Sequence, residues 1–253
     1  MFDVIRIQAF KDNYIWLLRK GAAAVVVDPG DSGPVLDVLD RQGLALTAIL
    51  ITHHHADHQG GVAGLLAHYP ASVFGPAHES ITALSRPLHG GETISLPELD
   101  VEFSVIAVPG HTLGHVAYHG AGCLFCGDTL FTAGCGRVFE GTMAQMLASL
   151  ERLAALPADT AVYCAHEYTQ ANLRFALAAD PGNPLLQKRA AEVAALRAEG
   201  RASVPSTLVQ EVATNPFLRC REPALVAAAQ SRGASANDPL AVFTTLREWK
   251  NVF

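Results

Sequence analysis

"THHHADHQGG" (52–61) sets four of the chain's 11 histidines and one aspartate inside seven residues. It follows "AILI" (48–51), an apolar run that reads as a buried strand. If that strand ran on, His53 and His55 would share a face and His54 would point the other way, because strand side chains alternate. Asp57 and His58 come next, and Gly60-Gly61 are expected to let the backbone turn tightly and approach its neighbours closely before a helix over 61–69. This is not the His-Glu-x-x-His helix of zinc proteases, whose ligands sit at i and i+4. It is a ligand cluster at a strand-to-helix transition.

The same kind of position recurs along the first two-thirds of the chain. "AAAVVVDPG" (22–30), "VEFSVIAVPGHT" (101–112), "CLFCGDT" (123–129) and "TAVYCAHEY" (160–168) are also apolar, β-rich runs that end in small or polar residues. His111, Asp128 and His166 each lie just beyond one of these runs, where α/β sheets gather functional groups. With His53, His55, Asp57 and His58 they make seven metal-competent side chains. One tetrahedral ion cannot use that many, whereas two four-coordinate sites sharing a bridging aspartate would use all of them. With no cysteine in the set, it suits Zn, Fe or Mn.

Between the strands lie helical-period stretches, "GVAGLLAHY" (61–69) and "MAQMLASLERLAAL" (143–156), which make this an α/β fold. After His166 the chain turns Ala- and Leu-rich and helical, punctuated by proline. We therefore expect a dinuclear metal hydrolase domain over 1–165 and a smaller helical, substrate-binding domain over 166–253. In "PSTLVQEVATNPFLR" (205–219), Ser206 or Thr207 is expected to cap a helix, with Gln210 completing a capping box with Thr207.

Composition narrows the function classes. Half of the residues are hydrophobic and 17% are charged, as in a globular chain. A net charge of -6 argues against a nucleic-acid binder, which must neutralise phosphates. The beginning lacks the basic and apolar regions of a signal peptide, and no apolar run approaches a membrane span. Five cysteines without framework spacing suit a reducing, cytoplasmic setting, and Cys123 and Cys126 read as core thiols. Neither a membrane nor a nucleic-acid partner is expected, and the chain is expected to be a monomer.

"THHHADH", "GHTLGH", "GDTLF" and "CAHEYT" resemble the ordered motifs of the metallo-β-lactamase superfamily. Within it, "LFTAGCGRVFEGT" (130–142), "HEYTQANLRFA" (166–176), "PSTLVQEVATNPFLR" and "LREWKNVF" (246–253) resemble the glyoxalase II, or hydroxyacylglutathione hydrolase, family. The resemblance implies an αββα sandwich followed by a helical domain. It also implies hydrolysis of S-D-lactoylglutathione to glutathione and D-lactate, the second step of methylglyoxal detoxification. By the same resemblance His53, His55 and His111 would hold one metal ion, and Asp57, His58 and His166 a second. Asp128 would bridge two divalent ions, most simply Zn, with Fe or Mn as alternatives. Asp57 and Asp128 are the expected catalytic carboxylates, and Asp28 in "VVVDPG" corresponds to an acid that orients the ligand histidines.

Arg247 and Lys250 lie three apart on one helix face, either offsetting the helix dipole or binding an anion. The resemblance implies the second, a grip on the carboxylate end of a glutathione thioester. It likewise implies substrate contacts for Arg137 and Tyr168. Phe139 departs from the tyrosine of some members and so lacks a hydroxyl, leaving its ring as a pocket wall. His54 and His115 are not expected to be ligands, nor are His68, His78, His89 and His119. A mono-iron persulfide dioxygenase is the nearest rival, and the complete set Asp57, His58 and His166 argues against it.

Overall fold

The computed structural model describes residues 2–253. The chain folds as two compact units. One comprises the chain up to Val108 with Thr112–Gly127, and the other Pro109–His111 with Asp128–Phe253.

The first unit opens with β1 (Asp3–Ala9), β2 (Asn13–Lys20) and β3 (Ala23–Val27), followed by α1 (Ser32–Gln42) and β4 (Ala45–Leu50). The short helices α2 (Ala56–Gln59) and α3 (Val62–Leu66) lead to β5 (Ser72–Pro76) and β6 (Arg86–Leu88). These strands form one sheet in sequence order, antiparallel through β3 and parallel from β3 to β6. Its central strands are buried on both faces, which explains the unbroken apolar run "AAVVV". Ile15, Leu17, Val26 and Ile49 pack with Val35 and Leu39 of α1 and with Val62 and Leu65 of α3. The alternate row, Trp16, Leu18, Val25 and Val27, is buried as well. The unit then adds β7 (Thr93–Leu96), β8 (Val101–Ala107), β9 (Val116–Gly120) and β10 (Cys123–Gly127), an antiparallel meander.

Because β3, β4 and β5 run parallel, the residues after them emerge at the same end of the sheet. Asp28 follows β3, the histidine stretch follows β4 and Glu79 follows β5.

The second unit contains the hairpin β11 (Leu130–Phe131) and β12 (Gly134–Cys135), α4 (Met143–Ala154) and β13 (Ala161–Cys164). The helices α5 (Thr169–Ala179) and α6 (Pro184–Ala198) follow, then β14 (Ser206–Thr207), which pairs with β13. The chain closes with α7 (Leu208–Thr214), α8 (Pro223–Gln230) and α9 (Pro239–Asn251). Asn183 and Asp238 cap α6 and α9, each ahead of a proline at the first helical position. Phe175, Phe217 and Phe243 are fully buried, with successive ring centroids 5.8 Å apart.

Three local expectations are corrected. The strand before the histidines stops at Leu50 and does not reach His53. Thr207 precedes α7 but makes no side-chain cap, so there is no capping box with Gln210. Ser206 and Thr207 are instead a strand pairing with Val162 and Ala161, and the Ser206 hydroxyl is taken up by the buried Glu211 carboxylate. A capping box is found instead at α4, where Thr142 and Gln145 cap each other's backbone amides. Finally, 205–219 is not one helix: α7 ends at Thr214 and a 3-10 turn covers Pro216–Leu218.

Candidate metal centre and substrate cavity

The first unit supplies a contiguous group of ligand candidates. Asp28 takes a left-handed backbone conformation (φ 51°), and its carboxylate organises the loop after β4. Its Oδ1 accepts from the Thr52 amide at 2.8 Å, and its Oδ2 accepts from the Thr52 hydroxyl at 2.7 Å. These bonds end the strand, since the Thr52 amide is spent on a side chain. Oδ2 also meets His58 Nδ1 at 3.0 Å. A carboxylate only accepts, so His58 carries its proton on Nδ1 and keeps a lone pair on Nε2. The same logic passes through Thr52 to the next ring. Thr52 has given its one hydroxyl proton to Asp28, so His53 Nδ1, 3.1 Å from that oxygen, must be the donor. Its Nε2 then holds the lone pair. One buried carboxylate thereby sets the tautomers of two histidines.

With the strand ended, the alternation expected of it survives in the loop. His53 Nε2 and His55 Nδ1 lie 3.0 Å apart, whereas His54 turns to Glu79 at 3.0 Å. Glu79 also accepts from the His54 amide at 2.6 Å, the Gly114 amide at 2.9 Å and the Thr112 hydroxyl. It ties the loop at 52–55 to the one at 112–115. His115 stacks on His53 at 4.6 Å and donates from Nδ1 to the Val116 carbonyl. Asp57 and His58 come from the single turn α2, with His58 Nε2 3.7 Å from Asp57 Oδ2. Asn13 donates to the same Asp57 oxygen at 3.0 Å. Gly60 and Gly61 do not turn the chain, since Gly60 has the ordinary helical φ of -58° and Gly61 one of -81°. They permit contact: a Cβ on either would lie 2.6–2.7 Å from backbone of the segment 29–32.

The second unit supplies a group from three separate segments. His111 Nε2 lies 3.5 Å from Asp128 Oδ2, and His166 Nε2 lies 3.3 Å from Asp128 Oδ1. His111 Nδ1 donates to the Arg137 carbonyl at 2.8 Å, which leaves its Nε2 lone pair toward Asp128. All three residues are buried. The donor chemistry fits divalent ions: His53, His58 and His111 each have Nδ1 engaged and Nε2 left for a ligand bond, beside carboxylates and with no thiolate. The chain thus carries histidine and aspartate clusters able to hold a metal ion.

His111 and Asp128 also line a cavity of about 380 Å³ in this unit. Arg137, Phe139, Tyr168, Arg247 and Lys250 line it too, so the structure brings the expected substrate contacts to one place. Tyr168 stacks on His166 with ring centroids 4.6 Å apart, and Phe139 lies 5.2 Å from the His111 ring. Arg247 is buried, its Nη1 donating to the Cys135 carbonyl at 2.8 Å and its Nη2 to Asn251 at 3.3 Å. Burial in this cavity, together with the Arg247 guanidinium and the positive charges of Arg137 and Arg174, pulls the Lys250 ammonium down to about 8. Burial pushes the Cys135 thiol up, with Arg247 opposing it.

Sequence reading missed several residues of these two regions. Glu79 and Asn13 sit outside any ligand motif, and Asn172, Phe131 and Cys135 line the cavity without a spacing signal. Arg174, whose charge acts on Lys250, lies one turn beyond Ala171, a residue of α5 that also lines the cavity. Glu167, three residues beyond β13, is structural: it holds the Ser203 amide at 2.9 Å and Arg197 at 3.5 Å.

Comparison with known proteins accords with this chemistry. The model of the family described as "Metallo-beta-lactamase superfamily" matches residues 10–166, and that described as "Hydroxyacylglutathione hydrolase C-terminus" matches 167–253. The chain is 58% identical to a hydroxyacylglutathione hydrolase of Dechloromonas aromatica and 54% identical to one of Methylobacillus flagellatus. Each alignment covers 100% of both chains. Among solved structures, ETHE1 from Myxococcus xanthus is similar with a TM-score of 0.67 at 23% identity. That alignment covers 100% of this chain and 99% of the other, a likeness of fold. The fold is the α/β metallo-β-lactamase fold followed by a helical C-terminal domain, and no helix among the described residues is long and apolar enough to cross a membrane. The chain is a hydrolase and belongs to the hydroxyacylglutathione hydrolase family.

Proposed function

We propose that this chain hydrolyses S-D-lactoylglutathione to glutathione and D-lactate at a site holding two divalent ions, most simply Zn. His53, His55 and His111 would hold one ion and Asp57, His58 and His166 the other, with Asp128 the carboxylate available to both. Residues 1–165 carry the metal hydrolase domain, and 166–253 the substrate-binding domain. The observation that carries the reading is the complete seven-residue donor set, in the family's order, on a chain 58% identical to a hydroxyacylglutathione hydrolase over its whole length.

Bound there, the ions would supply Lewis-acid activation of water and of the thioester carbonyl. The chain's own residues do the rest. Asp28 keeps His53 and His58 in the ligating tautomer, directly for His58 and through Thr52 for His53. Asn13 fixes the Asp57 carboxylate, which accepts the hydrogen bond of the attacking water and aims it. The leaving thiolate has a conjugate acid of pKa about 8.5, so its departure needs no general acid. This accounts for a site rich in ligands and poor in proton donors. Arg247 and Lys250 bind the carboxylate end of the tripeptide, Arg137 adds a basic substrate contact, Tyr168 contacts the backbone and Phe139 walls the cavity.

Thiol release from S-D-lactoylglutathione by metal-analysed protein tests the proposal, with glutathione persulfide as the comparison substrate. Turnover of the thioester with no oxygen consumption on the persulfide is expected. The reverse pattern would make the chain a persulfide dioxygenase.

A further inference from the structure

The hairpin β11–β12 has two residues in each strand, too few to hold itself in place. Its backbone hangs on buried side chains from the helical part of the second unit. Asn215 Nδ2 donates to the Phe131 carbonyl at 3.2 Å and to the Gly134 carbonyl at 2.9 Å. Asn172 donates to the Thr132 carbonyl at 2.9 Å, and the Ala133 amide donates to Glu211 Oε2 at 2.8 Å. Arg247 takes the Cys135 carbonyl. Every residue from 131 to 135 therefore has a backbone group fixed by a side chain. Ala133 sits at φ 56°, a conformation that persists in alanine only where its surroundings enforce it.

Glu211 is fully buried, and Arg189 neutralises it while also donating to Thr214 and Ser206. Asn215 donates to Glu211 at 3.0 Å, joining the two into one network. Apolar residues at these positions would leave several hairpin groups buried and unsatisfied, so the network is specific to this backbone.

The hairpin connects two ligand candidates. Asp128 lies two residues before it. Just after it, Gly136 returns to bond the Thr129 carbonyl at 3.2 Å, and a Cβ there would lie 1.9 Å from the Asp128 carbonyl. The next residue, Arg137, offers the carbonyl that orients His111. We propose that Glu211 and Asn215 are positioning residues that set the Asp128 carboxylate and the His111 ring by fixing the hairpin between them. This rests on the reading of Asp128 and His111 as metal ligands.

The test uses the full-length protein loaded with Co2+, comparing Asn215→Ala with Asn183→Ala. Asn183 also makes buried bonds, to the Ala213 carbonyl and the first amides of α6, but none to the hairpin. Both variants should lose thermal stability. Only Asn215→Ala should change the visible Co2+ absorption and lower kcat for S-D-lactoylglutathione, by about tenfold to 10²-fold. Asn215→Ala that keeps the spectrum and kcat of Asn183→Ala overturns the proposal. Should Asn215→Ala fail to fold, Asn215→Ser, which can still cap the Phe217 amide, is read the same way. In the unaltered protein the Ala133 amide should exchange as slowly as those of α7, and exchange at the rate of an exposed loop overturns the proposal without any variant. An unaltered protein that binds Co2+ but releases no thiol would count against the proposed function instead, and the spectra would still decide the positioning role.

Discussion

The two groups of ligand candidates are built in opposite ways. In the first unit His53, His55, Asp57 and His58 lie within six residues of chain, and one carboxylate, Asp28, governs the protonation of two of them. In the second unit His111, Asp128 and His166 come from three segments, and a backbone carbonyl orients His111. A contiguous loop needs one organiser. A dispersed group needs a scaffold, which here is the hairpin and the helices that hold it. Damage to the first region should therefore act through proton placement, and damage to the second through geometry.

The largest effect is expected where the dispersed group converges. Asp128→Ala should lower kcat on the order of 10³-fold and reduce bound metal, measured by steady-state kinetics beside metal analysis. Retention of both metal and turnover would remove Asp128 from the scheme. Asp28→Asn preserves shape but turns an acceptor into a donor, so His58 would be pushed to carry its proton on Nε2. Metal affinity should fall about 10- to 100-fold, read by competition with a chelating dye. An unchanged affinity would show that the tautomer is set elsewhere.

The cavity makes a smaller and different prediction. Replacing Lys250 with alanine should raise KM by about tenfold or more, with kcat little changed, because a contact of this kind serves bound substrate and transition state alike. Lys250 also gives a pH signature. Below about 8 it is protonated and can hold a carboxylate, and above that value it loses the charge. KM should rise as pH passes through about 8, and the rise should vanish in Lys250→Ala. The smallest effect is on stability alone: Thr142→Ala removes the α4 capping box and should cost about 1 kcal/mol without altering KM.

The sequence announced the first region far better than the second. Strand ends, four histidines and an aspartate in one loop are a local signal, and the alternation of His53, His54 and His55 held although its strand stopped at Leu50. What ended that strand was Asp28, 24 residues away in sequence, and no period reports such a bond. His111, Asp128 and His166 were legible only as a recurrence after strands. Their supports, Glu211, Asn215 and Asn172, read as ordinary polar residues on helices. Thr207 and Gln210 had the spacing of a capping box, but Ser206 and Thr207 were committed to pairing with β13. Short-range patterns identified the ligand candidates, and long-range polar contacts hold them.

The central claim is that both regions together serve two metal ions required for thioester hydrolysis. Titrating metal-free protein with Zn2+ while following thiol release from S-D-lactoylglutathione tests it directly. The account predicts no release without metal and a rate that reaches its plateau at two equivalents per chain. Full turnover by metal-free protein, or two equivalents bound with no thiol released, would contradict it.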